Sequence, residues 1–557
     1  MITIMGTRID KETEDGTPID FRGLHYYDPD WILPTTETIR AEVCVYGGTA
    51  AGVVAAVKLA RLGKSVILLQ PGKHLGGLTT GGLGWTDFGK KHVIGGMARQ
   101  FYSDVGREYG LPEEWRFEPH VAEKVFSRWI AEARVPVRFC QYLDNVEMTG
   151  RRIAAVTMLG GLRIEAPMFV DASYEGDLMA KAGVSYTVGR EGNAVYGETI
   201  NGVQIQDFHQ FSHPVDPYVV PGDPQSGLLP QIMDEDLSLR QGEGDRRIQA
   251  YCFRMCLTDD PSLKIAWPKP TAFDPLQYVL ATRWFNGEKD EYNEPLHPQR
   301  PTAPKKFDLL PNRTPGGFLK TDTNNHGAVS SDFIGANYDW PEGDYATREN
   351  IFQSHVNYQM GFYWHIANSP EIPGRYRLAY QRWGLPKDEF ADTGHWPHQL
   401  YIREARRMVG DYVLNEADCL LKRTANDAVG MGSYYMDSHH CSRFVKIENG
   451  KARVLNEGCV IMAPAGPYPV SYRSIVPKRG ECENLIVPVC LSSSHICYGS
   501  VRMEPVFMVL GESSAVAAVM AIDSRVPVQD IDVFQLRQHL LADGQIIASQ
   551  TPDGITL

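Results

Sequence analysis

The clearest pattern along the chain lies near its start. Glu42-Val-Cys-Val-Tyr46 is a short apolar run rich in β-branched side chains, and it stops at Gly47. A small-faced, Ala/Val-rich segment, Ala51 to Leu62, follows with helical spacing and ends at Gly63, a residue suited to closing a helix. Lys64 to Gln70 is a second continuous apolar run. A buried strand, a glycine turn, a helix and another buried strand within about thirty residues predict a βαβ unit with a parallel sheet. Further strands are expected at Val135 to Phe139, Ile153 to Met158, Ile164 to Val170, Cys459 to Met462 and Leu485 to Val489. Helical patterning fills much of 345–425, including Gln399 to Leu421, and a long small-residue helix is expected over Pro505 to Ile522. Between 200 and 345 the periodicity is poor, and Pro, Asp, Asn and aromatic residues dominate, as in loops and short strands. The spacing predicts an N-terminal arm over 1–40, a nucleotide-binding domain in two parts (41–200 and 455–525), an α+β substrate domain inserted over 201–454, and a C-terminal helix and tail over 526–557.

Composition narrows the function. The chain has 557 residues, 43% hydrophobic and 22% charged, enough for two or three domains with a sizeable core. A net charge of −13 argues against nucleic acid as a partner, since phosphate backbones call for a basic footprint. The most apolar late stretch, Val506 to Ile522, is interrupted by Gly511, Glu512, Ser513 and Ser514, so no membrane span is expected. The first residues carry acids and no apolar signal core, which predicts a cytoplasmic protein. Ten scattered cysteines without a CxxC pair read as reduced thiols, and no metal site is expected.

The turn Gly47-Gly48-Thr49-Ala50-Ala51-Gly52 departs from GxGxxG by Thr49 at the second glycine, although a threonine hydroxyl could donate to a phosphate. The helix N-terminus behind the turn suits a diphosphate. The second strand ends in Gln70 where an acid is usual. A second cluster, His74-Leu-Gly-Gly-Leu-Thr-Thr-Gly-Gly-Leu-Gly84, suits close approach of backbone to a large flat ligand such as a flavin. The alternatives are a plain structural turn and a flexible surface loop.

These two segments, GGTAAG and LLQPGKHLGGLTTGGLGWTD, resemble the FAD-dependent oxidoreductases of the glutathione-reductase superfamily. Asp171-Ala-Ser-Tyr-Glu-Gly-Asp177 resembles that family's second flavin motif, and Trp383 to Phe390, His395 to Met408, Gly432 to His440 and Ser494 to Pro505 resemble blocks of a subgroup often labelled xanthan lyase-like. The resemblance spans about 41–545. It implies an α/β fold: a discontinuous FAD-binding Rossmann-like domain of glutathione-reductase type carrying the inserted substrate domain. It also implies FAD, with Gly47, Gly48, Thr49, Ala50, Ala51 and Gly52 on the diphosphate, Gln70 and Pro71 near the adenosine ribose, and Val146 at adenine. His74, Gly76, Gly77, Leu78 and Thr79 would line the diphosphate and ring. Asp171, Ala172, Ser173 and Asp177 would form the second flavin motif. Arg502 and Met503 would precede a helix whose N-terminus faces the flavin pyrimidine.

The chemistry expected is oxidation of a small polyhydroxylated or carboxylated substrate, by hydride transfer to flavin N5 with a histidine as base. His495 is the favoured base because it lies in the segment leading to that late helix. His439, His440 and Arg502 are the other catalytic candidates. His395, His398, Arg403 and Asp437 are candidate substrate contacts, with Arg403 and Arg407 one turn apart on the expected helix and Asp437 to His440 read as a polar loop. The polar cluster Asp322 to Asn325 with Asp332 suits a hydroxyl-rich ligand or loop capping. Neither a GxSxG elbow nor a P-loop is present. An FAD-assisted saccharide lyase is the alternative, and a non-catalytic flavoprotein is a third reading. The electron acceptor and oligomeric state stay open.

Overall fold

The computed structural model describes residues 10–12, 18–287, 296–297, 300–304, 307–310 and 314–548. Its centre is a five-stranded parallel sheet in the order Leu485–Ile486, Met168–Asp171, Val43–Tyr46, Val66–Leu69, Val137–Arg138. The three central strands are buried at every position, which is why they read as unbroken apolar runs rather than as alternation. The helix Ala50–Arg61 follows the first strand, and Thr49 caps it by accepting from Gly52 N.

The helix Glu504–Ser524 lies against Ala50–Arg61 at very short range. A Cβ on Gly511 would stand 2.4 Å from the Ala51 carbonyl oxygen, so only glycine permits this approach. Among the described residues this is the one helix long and apolar enough to cross a membrane, and 83% of its apolar window is buried inside the protein. Its hydrophobicity therefore belongs to the core.

A second, four-stranded sheet runs Thr38–Arg40, Arg163–Glu165, Arg152–Met158, Leu143–Thr149. It corrects one expectation. The apolar stretch 164–170 is two strands, Arg163–Glu165 and Met168–Asp171, belonging to different sheets. Pro167 separates them, and its missing N–H interrupts a ladder. The strands expected near 135, 153, 459 and 485 are present in shortened or slightly shifted form.

Between 200 and 480 the described residues pack mostly as loops, short hairpins and helices, among them Tyr345–Asn368 and Gly374–Arg382. No helix spans 399–421. Arg407–Met408 instead pairs antiparallel with Tyr186–Thr187, and only Glu416–Cys419 is helical. The charges that suggested a helix face are buried, each held by a different partner. Arg403 meets the Ala250 carbonyl, Glu404 meets His495, Arg406 meets Asp177, and Arg407 meets Glu191. The helical spacing of these charges is thus the spacing of four buried contacts. Asp437 to His440 is likewise not an open loop. Met436–Ser438 is a strand paired with Val460–Met462, and His439 and His440 are buried behind it.

Candidate active site

The nucleotide end is built on the turn after the first strand. Gly47 adopts φ +97°, and a Cβ there would meet the backbone of Ala172 and Ser173. A Cβ on Gly52 would stand 1.8 Å from the Gly47 carbonyl oxygen. Gly52→Ala must therefore push the turn away from the helix. The expected result is loss of bound FAD together with about 1–3 kcal/mol of stability, measured by flavin content and urea unfolding of the purified variant.

Thr49 does not keep its hydroxyl for a phosphate. It donates to the Ala172 carbonyl at 2.8 Å and ties the turn to the second motif. Gln70 bends back, its side-chain oxygen accepting from Gly48 N at 2.7 Å.

Beside the turn lies a cavity of about 70 Å³, walled by Gln70, Gly72, Lys73, His74, Gly77 and His398 and covered by Tyr26 and Trp31 of the N-terminal arm. His398 stacks on His74 with ring centroids 3.8 Å apart. Both its ring nitrogens are buried without a hydrogen-bond partner among the described residues. Burial pushes its pKa well down, with the neighbouring His74 adding to the effect, so the ring is neutral. His74 behaves oppositely. Burial alone would lower its pKa, but Asp392 and Glu123, at 3.1 and 2.9 Å, outweigh it and hold it up at about 9. An ammonium, an imidazolium and two unpaired imidazole nitrogens beside a helix N-terminus fit a diphosphate. His398, expected at the substrate, instead lines this cavity beside the glycine turn. Pro71 and Val146 do not line it; Val146 pairs with Val156 in the second sheet.

The His74 shift sets a pH dependence. Its folded pKa lies above the unfolded value near 6.5, so its contribution is complete below pH 6.5 and is lost as pH rises through about 9. The expected loss is about 2 kcal/mol of stability across that window, accompanied by weaker FAD retention. Unfolding curves at pH 6 and pH 9.5 check it, with His74→Gln removing the difference.

The second motif is a set of buried carboxylates. Asp171 accepts from the Ser173 hydroxyl at 2.7 Å and from Met179 N at 2.8 Å, and burial lifts it to about 6 against those hydrogen bonds. Asp177 is gripped by Arg348 at 2.6 and 2.9 Å and by Arg406 at 2.7 Å. Burial would raise its pKa, but the two guanidinium groups prevail and bring it to about 2. Ala172 and Ser173 form the floor under Gly47.

The second glycine cluster is where the parallel-sheet body meets residues 250–435. A Cβ on Gly77 would stand 2.4 Å from the Tyr174 hydroxyl, one on Gly81 2.2 Å from Gln399 Cβ, and one on Gly82 2.0 Å from the Arg254 carbonyl oxygen. Leu78 N donates to the Tyr174 hydroxyl, and Tyr174 donates in turn to Glu504 at 2.7 Å. Thr79 also donates to Glu504, at 2.8 Å. Glu504, the first residue of the long helix, is buried and has its pKa lifted to about 7, opposed by the two hydroxyls. Sequence reading assigned it no role. Its position before Pro505 marked only a helix start. Met503 is the buried residue capping that helix.

Next to this seam lies a larger cavity of about 230 Å³, whose wall includes Trp85, Asp87, Arg254, Tyr434, Asp437 and His439. His439 is hydrogen-bonded through Nδ1 to Asp332 at 2.7 Å, and Asp332 lies 3.1 Å from Arg403. Burial, helped by Arg403, pushes the His439 pKa well down, so the ring is neutral. With Nδ1–H given to the carboxylate, Nε2 keeps a lone pair toward the cavity. Arg254 is held by Asp322 through two hydrogen bonds. Arg254, Arg403 and Arg502 all approach the Tyr401 ring, at 6.0, 4.5 and 5.5 Å. Arg502 donates to the Tyr401 hydroxyl at 2.6 Å and to the Asp437 carbonyl at 3.1 Å, which places it behind the wall.

The other histidines are elsewhere. His495 has Nδ1 on Glu404 at 2.7 Å and Nε2 against the Ser438 hydroxyl at 3.1 Å, so both nitrogens are committed inside the protein and it does not line the cavity. His440 is buried outside the cavity wall, its carbonyl accepting from Ala250 N. His395 has φ +62° and contacts the Glu389 carbonyl at 3.0 Å, away from both cavities. Sequence reading gave Arg254, Tyr434 and Asp87 no role: Asp87 closes the quoted segment 68–87 and Tyr434 lies in the block 432–440 without being singled out, and Arg254 lies in no motif.

The chain matches the FAD dependent oxidoreductase family over residues 42–540 and belongs to it. FAD is its cofactor, and the chain spans less than two thirds of the length of the first solved structures it matches. A search of curated proteins returns no match. Among solved structures it is similar to L-proline dehydrogenase from P. horikoshii, at 16% identity and TM-score 0.23, covering 28% of this chain and 59% of that one. It is also similar to L-amino acid deaminase from Proteus vulgaris, at 13% identity and TM-score 0.23, covering 29% of this chain and 55% of that one. A flavoprotein/dehydrogenase from Cytophaga hutchinsonii shows 17% identity and TM-score 0.21, covering 27% and 44%.

Proposed function

We propose that this enzyme oxidises a small polyhydroxylated or carboxylated molecule held in the 230 Å³ cavity, with His439 as the base. The observation that carries the reading is the Asp332–His439 pair, a neutral imidazole in the cavity wall oriented by a buried carboxylate. FAD, when bound along the glycine turns, supplies the two-electron acceptor. His439 Nε2 takes the proton from the substrate group being oxidised, and Asp332 fixes the ring's tautomer and balances the charge that forms. Arg502 positions Tyr401 and the Asp437 strand. Closure of residues 250–435 over the glycine cluster excludes water from the seam. In this reading 201–454 is the substrate-binding insertion, and 41–200 with 455–525 is the FAD-binding body of glutathione-reductase type.

Anaerobic mixing of the holoenzyme with sugars, polyols, amines and acids tests the assignment. The expected result is flavin bleaching by at least one polyhydroxylated or carboxylated member, with a product lighter by two hydrogens. Redox-neutral cleavage would instead identify a lyase, and failure of every compound would remove the assignment.

A further inference from the structure

The charge lining the larger cavity is lopsided. Among the described residues, three aspartates, Asp87, Asp308 and Asp437, face it, against one arginine, Arg254, and the imidazoles of His209 and His439. That arginine is already matched by the buried Asp322 and stands 3.5 Å from Asp87. Asp87 also accepts from the Tyr434 hydroxyl at 3.1 Å. Asp437 is different: its carboxylate makes no hydrogen bond among the described residues and stands 3.8 Å from both His439 Nε2 and Arg502.

A second observation points to a ligand here. His439 is 5% exposed, yet its Nε2 reaches the cavity wall with no hydrogen-bond partner among the described residues. Trp85 and Tyr434 add flat apolar faces, and Asn324 and Asn325 add amides that both donate and accept. Carboxylates and amides bind hydroxyls, and aromatic faces pack on the C–H faces of a sugar ring. A negatively charged ligand would meet these carboxylates, while the arginine of the lining is already matched by Asp322. The cavity, at about 230 Å³, also falls below the roughly 300–1,000 Å³ of drug-sized sites.

We propose that this cavity selects a neutral, polyhydroxylated substrate the size of one sugar unit and rejects its carboxylated counterparts, with Asp437 and Asp308 as the residues that discriminate. The proposal rests on the reading above and narrows it. Carboxylate recognition, open on sequence grounds, is closed by the lining.

Calorimetric titration of the oxidised holoenzyme with matched sets tests it: neutral hexoses and alditols, the corresponding uronic and aldonic acids, and 2-amino hexoses. The expected result is binding of a neutral member about 100-fold tighter than its acid partner, with Asp437→Asn and Asp308→Asn each narrowing that ratio at least several-fold. Acids that bind as tightly as their neutral partners overturn the proposal, as does a 2-amino hexose that binds tighter than its neutral partner. So does an unchanged ratio in both variants. Flavin bleaching by acids alone overturns it while sparing the reading of the protein as an oxidoreductase; bleaching by no compound removes both.

Discussion

His439→Asn is expected to slow anaerobic flavin reduction by about 10²- to 10⁴-fold, the usual range for removing a general base, while FAD content stays at the level of the unmodified enzyme. Stopped-flow traces and the flavin-to-protein ratio of the same sample measure both. The side chain contacts Asp332 and the larger cavity but does not line the nucleotide cavity, so rate and cofactor content should separate. The pH profile carries a further sign. Burial and Arg403 hold the imidazole pKa well below its ordinary value, so the base is already deprotonated at neutral pH. The reduction rate should be level from about pH 6.5 upward and fall only on the acid side. Equal loss of FAD and of rate would assign His439 a structural role.

His495→Ala should fail in the other way. Its imidazole bridges Glu404 and Ser438, both fully buried. Without it Glu404 retains Gln249 at 3.2 Å and Arg407 at 3.6 Å. A buried carboxylate left short of partners is costly, and the expected destabilisation is about 3–5 kcal/mol. Urea unfolding should shift to lower concentration, and FAD content and reduction rate should fall together. A variant that keeps its stability and cofactor but cannot be reduced would return the catalytic role to His495.

The contrast between these two histidines shows what the chain's linear order conveys. The parallel sheet was legible because each of its strands is local, apolar and bounded by a turn residue. The glycine turn was legible because Gly47 and Gly52 answer contacts that only glycine tolerates. Both arise within about thirty residues. The substrate side was read less well for a physical reason. Proximity in the chain to Pro505 favoured His495, but that ring turns inward, while His439 reaches the cavity from just beyond the strand Met436–Ser438, which the sequence did not reveal. The segment Tyr401 to Met408 misled for a related reason. Its charge pattern has helical spacing, and nothing in a linear reading says that Asp177 and Glu191 wait more than 200 residues upstream. Thr49 was read as standing at the second glycine and able to donate to a phosphate; its hydroxyl is given to the Ala172 carbonyl, which arrives at the end of another strand and could not be seen from the turn alone.

The same segment limits how far the protein can be divided. Arg406 neutralises Asp177, and Arg407 neutralises Glu191. Both cations come from the stretch a protein engineer would excise as an autonomous module. Splitting the gene at residue 200 would leave each fragment with the unmatched half of an ion pair that is buried in the intact enzyme. The two fragments should be insoluble apart and recover flavin binding only when produced together, which would set the boundary expected from the sequence at residue 200 apart from a boundary of folding.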